Sequence, residues 1–352
     1  MVTESLESLG NTPELFPFNL DTGTDTWDFI RLSRADYEAA SFLDQRVLAP
    51  GITHATLRSK EVVELAEAAH LSESCHFIFH IGHVGSTLLS RLIGAQARTL
   101  SLREPLVLRT LAHDIYGPVD APETSGSGGA ELRWAVLLKL LSRTFPGQDR
   151  AVVKATSFVS EAAHALLERA SAPRALMMCV SAESYLATIL GGPNSRQEAR
   201  LLTPQRLQRL HRRLGQDIWL PDSFTEGEAV ALGWACEMAA LAHAAKSAGE
   251  RVLKIDFDRL LAQPMGLLSA ALHHLGIPAA FSELNAILGG PLMHRYSKAP
   301  EHAYDAALRD AVLNEARSAH RSEIRSGLRW LERAAEFEAV NDALLFGASV
   351  AS

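Results

Sequence analysis

The sequence predicts an α/β protein with a doubly wound, mostly parallel sheet, and three observations carry that expectation. Five short runs, "HFIFHI" (76–81), "TLSL" (99–102), "AVVKA" (151–155), "RALMMCV" (174–180) and "RVLKIDF" (251–257), are apolar enough to be strands buried on both faces. Helical patterns such as "STLLSRLIGAQ", "ELRWAVLLKLLSRTF" and "VSEAAHALLERA" separate them, so strand and helix alternate. The first run stops at a loop rich in glycine and hydroxyls, and a leucine-periodic helix starts at once.

Taken in order, residues 1–30 are acidic, and "NTPELFPF" and "DTGTDTWDF" supply turn residues, which predicts an irregular or partly disordered start. "SRADYEAASFLDQRV" and "SKEVVELAEAAHL" have helical spacing, each opened by a serine suited to capping. "GPVDAPETSGSGG" (117–129) reads as an exposed loop, either a linker or a lid. A helical insertion near 195–220 carries "RLQRLHRRLGQ", whose basic side is a solvated face or part of a substrate mouth. "DAALRDAVLNEARSAHRSEIRSGLRWLERAAEF" near the end reads as long amphipathic helix. The expected organisation is a helical extension over 1–73, one α/β domain over 74–310, and a helical segment over 311–352 packed on the same domain.

Composition narrows the function. Of 352 residues, 47% are hydrophobic, and no apolar stretch approaches the roughly 20 residues that span a bilayer. "MVTESLESLG" lacks the basic start and apolar core of a signal peptide, so a cytoplasmic protein without a membrane partner is expected. A net charge of -7 and the lack of a basic run argue against nucleic acid. Cys75, Cys179 and Cys236 are too far apart for a short metal motif and read as buried thiols. Only six of the 34 basic residues are lysines, and each one near a strand end is therefore worth weighing.

The loop in "FIFHIGHVGSTLLSRL" (77–92) falls where open α/β sheets collect ligands, beyond the carboxyl end of a strand. Gly82 and Gly85 let the backbone approach an anion, free amides of residues 84–88 point into the concavity, and Ser86 and Thr87 add hydroxyls. The competing reading is a plain strand-to-helix turn with a serine cap. The motif is P-loop-like without being the usual one. Aligned on Gly85, G-x-x-x-x-G-K-[ST] has His80 in place of its first glycine and Ser86 in place of its lysine, which disfavours an ordinary kinase or NTPase.

"FHIGHVGSTLLSRLIG" followed by "LREPLVL" resembles the sulfotransferase family, particularly bacterial members related to the tyrosylprotein type. The family's 5'-phosphosulfate loop, P-[KR]-S-G-T-[ST], matches His83, Val84, Gly85, Ser86 and Thr87 from its basic residue onward, with histidine at the basic position. The resemblance implies PAPS as donor, held by Gly82, His83, Val84, Gly85, Ser86 and Thr87, and it implies no metal. It implies Glu104 as the general base for the acceptor, since a carboxylate in reach can take the hydroxyl proton. The competing reading makes Glu104 a helix-start residue paired with Arg103 or Arg109. Lys154 resembles the lysine of the family's K-T-H segment, although Ala155 and Thr156 replace its neighbours. With His83 it would stabilise the leaving phosphate.

The family reads the 3'-phosphate with an arginine and, eight positions on, a serine. Here those positions are Val180 and Thr188. The missing arginine is the main departure, and Arg174, Arg196 and Arg200 are the candidates to replace it. "HRYSKAPEHAYDAALR" (294–309) supplies Arg295 and Lys298, matching the family's late basic loop. The resemblance spans roughly 76–310 and implies transfer of a sulfuryl group to a hydroxyl or amine of a small molecule or peptide. Two alternatives stand beside it: a nucleotide-binding regulatory protein that lost catalysis, and an atypical P-loop kinase. Self-association is left open, and the regions 106–145 and 190–225, where an acceptor pocket would be built, carry no readable motif.

Overall fold

The computed structural model describes residues 12–116, 127–217, 223–299 and 301–348. Its frame is a five-stranded parallel sheet in the order β5-β6-β4-β7-β8, made of β4 (His76–His80), β5 (Thr99–Arg103), β6 (Arg150–Lys154), β7 (Ala175–Cys179) and β8 (Val252–Asp256). These are the five runs the sequence singled out. β5 and β7 are buried along their whole length, as a sheet covered on both faces requires. The chain leaves β4 for β5 and β6 on one side and then crosses to β7 and β8 on the other. The carboxyl end of β4 is therefore the point where loops diverge and leave a crevice.

The N-terminal region differs from the expected irregular, helical start. β1 (Leu15–Asp21), β2 (Thr26–Arg31) and β3 (His54–Arg58) form an antiparallel sheet in that order. The turn residues lie inside a hairpin: Asp21 Oδ1 accepts from the amides of Gly23 (2.9 Å) and Thr24 (3.1 Å). Register shifts between Pro17 and Asn19, so no clean alternation announces β1. Residues 1–11 lie outside the described residues.

The helix after β4 runs from Ser86 to Gly94 and the insertion from Pro193 to Leu214. The segment 159–170 starts in a 3-10 stretch that ends at Ala162 and continues as a short helix over Ala163–Leu167. The loop read at 117–129 lies outside the described residues up to 126, and a helix already runs from Ser127 to Leu141. The expected long C-terminal helix is two, Ala306–Ala319 and Arg321–Ala334, broken at His320 (φ -113°, ψ 25°), followed by Glu338–Ala348. The helix Glu226–Ala248, rich in alanine and glycine, is buried almost all round, which small side chains permit. No helix among the described residues is long and apolar enough to cross a membrane.

Candidate active site

Beyond β4 the backbone turns sharply, with positive φ at Gly82 (86°), His83 (54°) and Gly85 (65°). A left-handed histidine is strained, and such strain persists only where the surroundings impose it. Gly85 caps the helix Ser86–Gly94, and no side chain satisfies the helix start. The amides of His83 to Leu88 make no hydrogen bond among the described residues. Thr87 is 2% exposed and its Oγ1 has no partner. Orphan donors and a buried, unpaired hydroxyl at one helix start form a concavity suited to an anion. Gly85 is required there for a second reason: a Cβ would fall 1.9 Å from the Phe257 ring. The loop, Phe257, Thr188, Arg295 and Lys298 enclose about 110 Å³.

On the other side of His83 the ends of β5 and β6 meet. Register pairs Arg103 with Lys154, and the Glu104 amide donates to the Lys154 carbonyl at 2.7 Å. Glu104 then turns into the left-handed region (φ 52°), and Lys154 Nζ donates to its Oε1. Lys154 is fully buried, and burial, opposed by Glu104, brings its pKa down to about 8. Its ammonium thus has a carboxylate partner at the strand end, and it does not snorkel to solvent. Arg103, the partner weighed for Glu104, is committed elsewhere: its guanidinium donates to the carbonyls of Tyr37, Glu38 and Ala40. Arg109, the other, lies over the Phe158 ring at 4.3 Å.

His80, at the end of β4, faces the same pair. The Gly82 amide donates to His80 Nδ1 (3.0 Å), so the neutral ring carries its proton on Nε2, 3.8 Å from Glu104 Oε1. Burial holds the His80 pKa far below the usual imidazole value. His83 is likewise neutral, pushed down to about 4 by burial and then by Lys298 and Arg206. It enters the site as a hydrogen-bonding group and not as a cation.

The remaining predicted residues divide. Arg295 and Lys298 reach the small cavity on a hairpin-like segment, held by bonds from Tyr296 N to His302 O (2.9 Å) and Arg91 Nε to Ser297 O (3.0 Å). Thr188 lines the cavity, but its hydroxyl donates to the Ser184 carbonyl at 2.7 Å, as helical threonines commonly do. Val180 is buried. None of the three arginines weighed as its replacement serves: Arg174 donates to His274 O near the amino end of β7, and Arg196 and Arg200 pair with Glu226. A further cation that shares the cavity with Thr188 is Arg309, which binds Asp258 at 2.8 Å and covers the Phe257 ring.

Glu104 and His83 open into a second, larger cleft of about 300 Å³. Its walls include Arg109, weighed from the sequence only as a partner for Glu104, and Phe42, Arg46, Phe158, Tyr185 and Arg206, which the sequence did not single out. Phe42 is a platform for cations: Arg46 lies 3.4 Å, Lys298 5.7 Å and Lys154 5.8 Å from its ring centre. The basic insertion is only partly a solvated face, since Arg206 and Arg209 are buried. His83 and Lys298 line both cavities.

No protein-family model matches the sequence, and no curated protein matches it. Solved structures do. A sulfotransferase domain from the curacin biosynthetic pathway is 14% identical, with 75% of this chain and 98% of that chain covered and a TM-score of 0.39. Sulfotransferase STF9 from Mycobacterium avium is 12% identical, with 91% and 96% covered and the same TM-score of 0.39. The likeness is one of fold alone.

Proposed function

We propose that the protein transfers a sulfuryl group from PAPS to a hydroxyl or amine acceptor. The observation that supports this most is the convergence of unpaired amides at 83–88 and the orphaned Thr87 hydroxyl beside the buried Lys154 and its Glu104 partner. In this reading the 5'-phosphosulfate lies on Gly82, His83, Val84, Gly85, Ser86 and Thr87, with Arg295 and Lys298 over it and Thr188 near the 3'-phosphate. The acceptor oxygen attacks sulfur while Glu104 takes its proton, and the bond from sulfur to the 5'-phosphate oxygen breaks. Lys154 and the loop amides compensate charge on the departing phosphate, with His83 as a neutral donor. Positioning and charge do the rest, as in phosphoryl transfer.

A nucleotide needs more room than the small cavity has, since ligand sites usually occupy about 300–1,000 Å³. The loop segment around Arg295 and Lys298 therefore shifts outward on binding. Titration calorimetry with PAP tests the donor, and a screen of alcohols and amines with labelled PAPS tests transfer. Absence of PAP binding at high micromolar ligand would end the proposal. The buried Val180 and the committed Thr188 hydroxyl favour a second reading, a nucleotide binder without turnover. PAP binding with no sulfation, and a Glu104→Gln chain that keeps its cellular role, would select it.

A further inference from the structure

The wall of the larger cleft holds a cation with no carboxylate of its own. Arg206, on the helix Pro193–Leu214, is 9% exposed, its Nε is buried without a partner, and it makes no hydrogen bond among the described residues. The nearest carboxylate is Glu237, whose Oε1 lies 4.0 Å from Arg206 Nε. That carboxylate is already satisfied. Arg209 donates to both its oxygens at 2.9 and 3.0 Å, and Ser160 donates to Oε2. Glu161 is occupied as well, by Arg209 at 3.0 Å and Arg213 at 2.6 Å. Three guanidinium groups thus share two carboxylates, and Arg206, the one that faces the cleft, is left over.

Burying an unpaired cation is costly, and proteins retain such groups where a ligand supplies the counter-charge. The neighbouring helix accommodates it: a Cβ at Gly233 would lie 2.8 Å from Arg206 Nη1, so a mid-helix glycine, itself unfavourable, opens the space for the guanidinium. The rest of the wall does not cancel the charge. Asp44 is paired with Arg46 and Glu104 with Lys154, while Glu198 is exposed. We infer that the acceptor carries an anionic group, a carboxylate or a phosphate, which Arg206 holds while the reacting hydroxyl faces Glu104. This rests on the sulfuryl-transfer reading of the same site. The planar guanidinium fits either anion with two parallel hydrogen bonds.

The test uses the whole chain saturated with PAP and matched probes: 4-hydroxyphenylacetate, 3-hydroxybutyrate and glycerol phosphate against methyl 4-hydroxyphenylacetate, methyl 3-hydroxybutyrate and glycerol. Calorimetry measures binding, and labelled PAPS in place of PAP measures sulfation. At least one anionic probe is expected to bind, or to be sulfated, about tenfold or more better than its neutral partner, as a charge-assisted bond implies. The hydroxy acids and glycerol phosphate distinguish a carboxylate from a phosphate. In Arg206→Met, which keeps the aliphatic stem, that preference disappears while PAP affinity is retained. Equal or better binding of the neutral partners in the unaltered protein overturns the inference without recourse to any variant, and so does a preference that survives Arg206→Met. Failure of PAP itself to bind is seen before any acceptor is added, and it removes the donor reading and this inference together.

Discussion

Two cavities meet at His83 and Lys298, and they are built in opposite ways. The floor of the smaller is main chain, a strand end, a left-handed turn and the first amides of a helix within about ten consecutive residues, and side chains such as Phe257, Arg295 and Lys298 only close it over. The larger is made of side chains that arrive from distant segments, Phe42 and Arg46 before the sheet, Glu104 and Arg109 after β5, Phe158 after β6, Arg206 from the insertion. A backbone cradle suits what never changes, the phosphate of a donor. A wall of side chains suits what does change, the acceptor, and it can diverge without disturbing the cradle.

If that division holds, damage on the two sides separates into turnover and donor affinity. Glu104→Gln is expected to cost roughly 10²–10⁴-fold in turnover, the usual worth of a general base, with calorimetric PAP affinity unchanged. Lys154→Met should cost about 10²–10³-fold in kcat by removing buried positive charge. Equal losses of PAP affinity in both variants would place the pair in the cradle and break the comparison.

On the cradle side, Gly85→Ala puts a methyl into the Phe257 ring at positive φ. It should abolish PAP binding and lower stability by about 1–3 kcal/mol in urea unfolding. Thr87→Val is the sharper probe. Its hydroxyl has no partner to lose, so stability should hold or rise, while PAP affinity falls about 10- to 100-fold with the loss of a bond to a charged group. A variant destabilised without any change in PAP affinity would show that Thr87 serves only the fold.

The smallest expected effect is in pH. Lys154 acts as a cation, and burial lowers its pKa from 10.5 to about 8. The proton is therefore lost as pH rises through about 8, and turnover falls on that alkaline limb while an exposed lysine would sustain it further. A rate that stays flat well above that limb would mean that the Lys154 charge is not used.

The same division explains what could be read from the sequence. The five parallel strands were legible because strands buried on both faces are apolar throughout, and the cradle was legible because its parts are contiguous. β1 was hidden by Pro17 and a register shift, and the break at His320 has no glycine or proline to announce it. Arg206 was legible only as one basic residue among several in "RLQRLHRRLGQ". The one trace of its burial is Gly233 in the middle of a helix, and nothing in the sequence joins the two positions. Arg309, which shares a cavity with Thr188, ends the segment 294–309 from which the sequence drew only Arg295 and Lys298, because it already belongs to the helix Ala306–Ala319 that folds back onto the site.

If free main-chain amides hold the donor, amide hydrogen exchange at residues 83–88 slows by about tenfold or more when PAP is added, since each amide gains an acceptor. Binding of PAP that leaves exchange at those amides unchanged would contradict it.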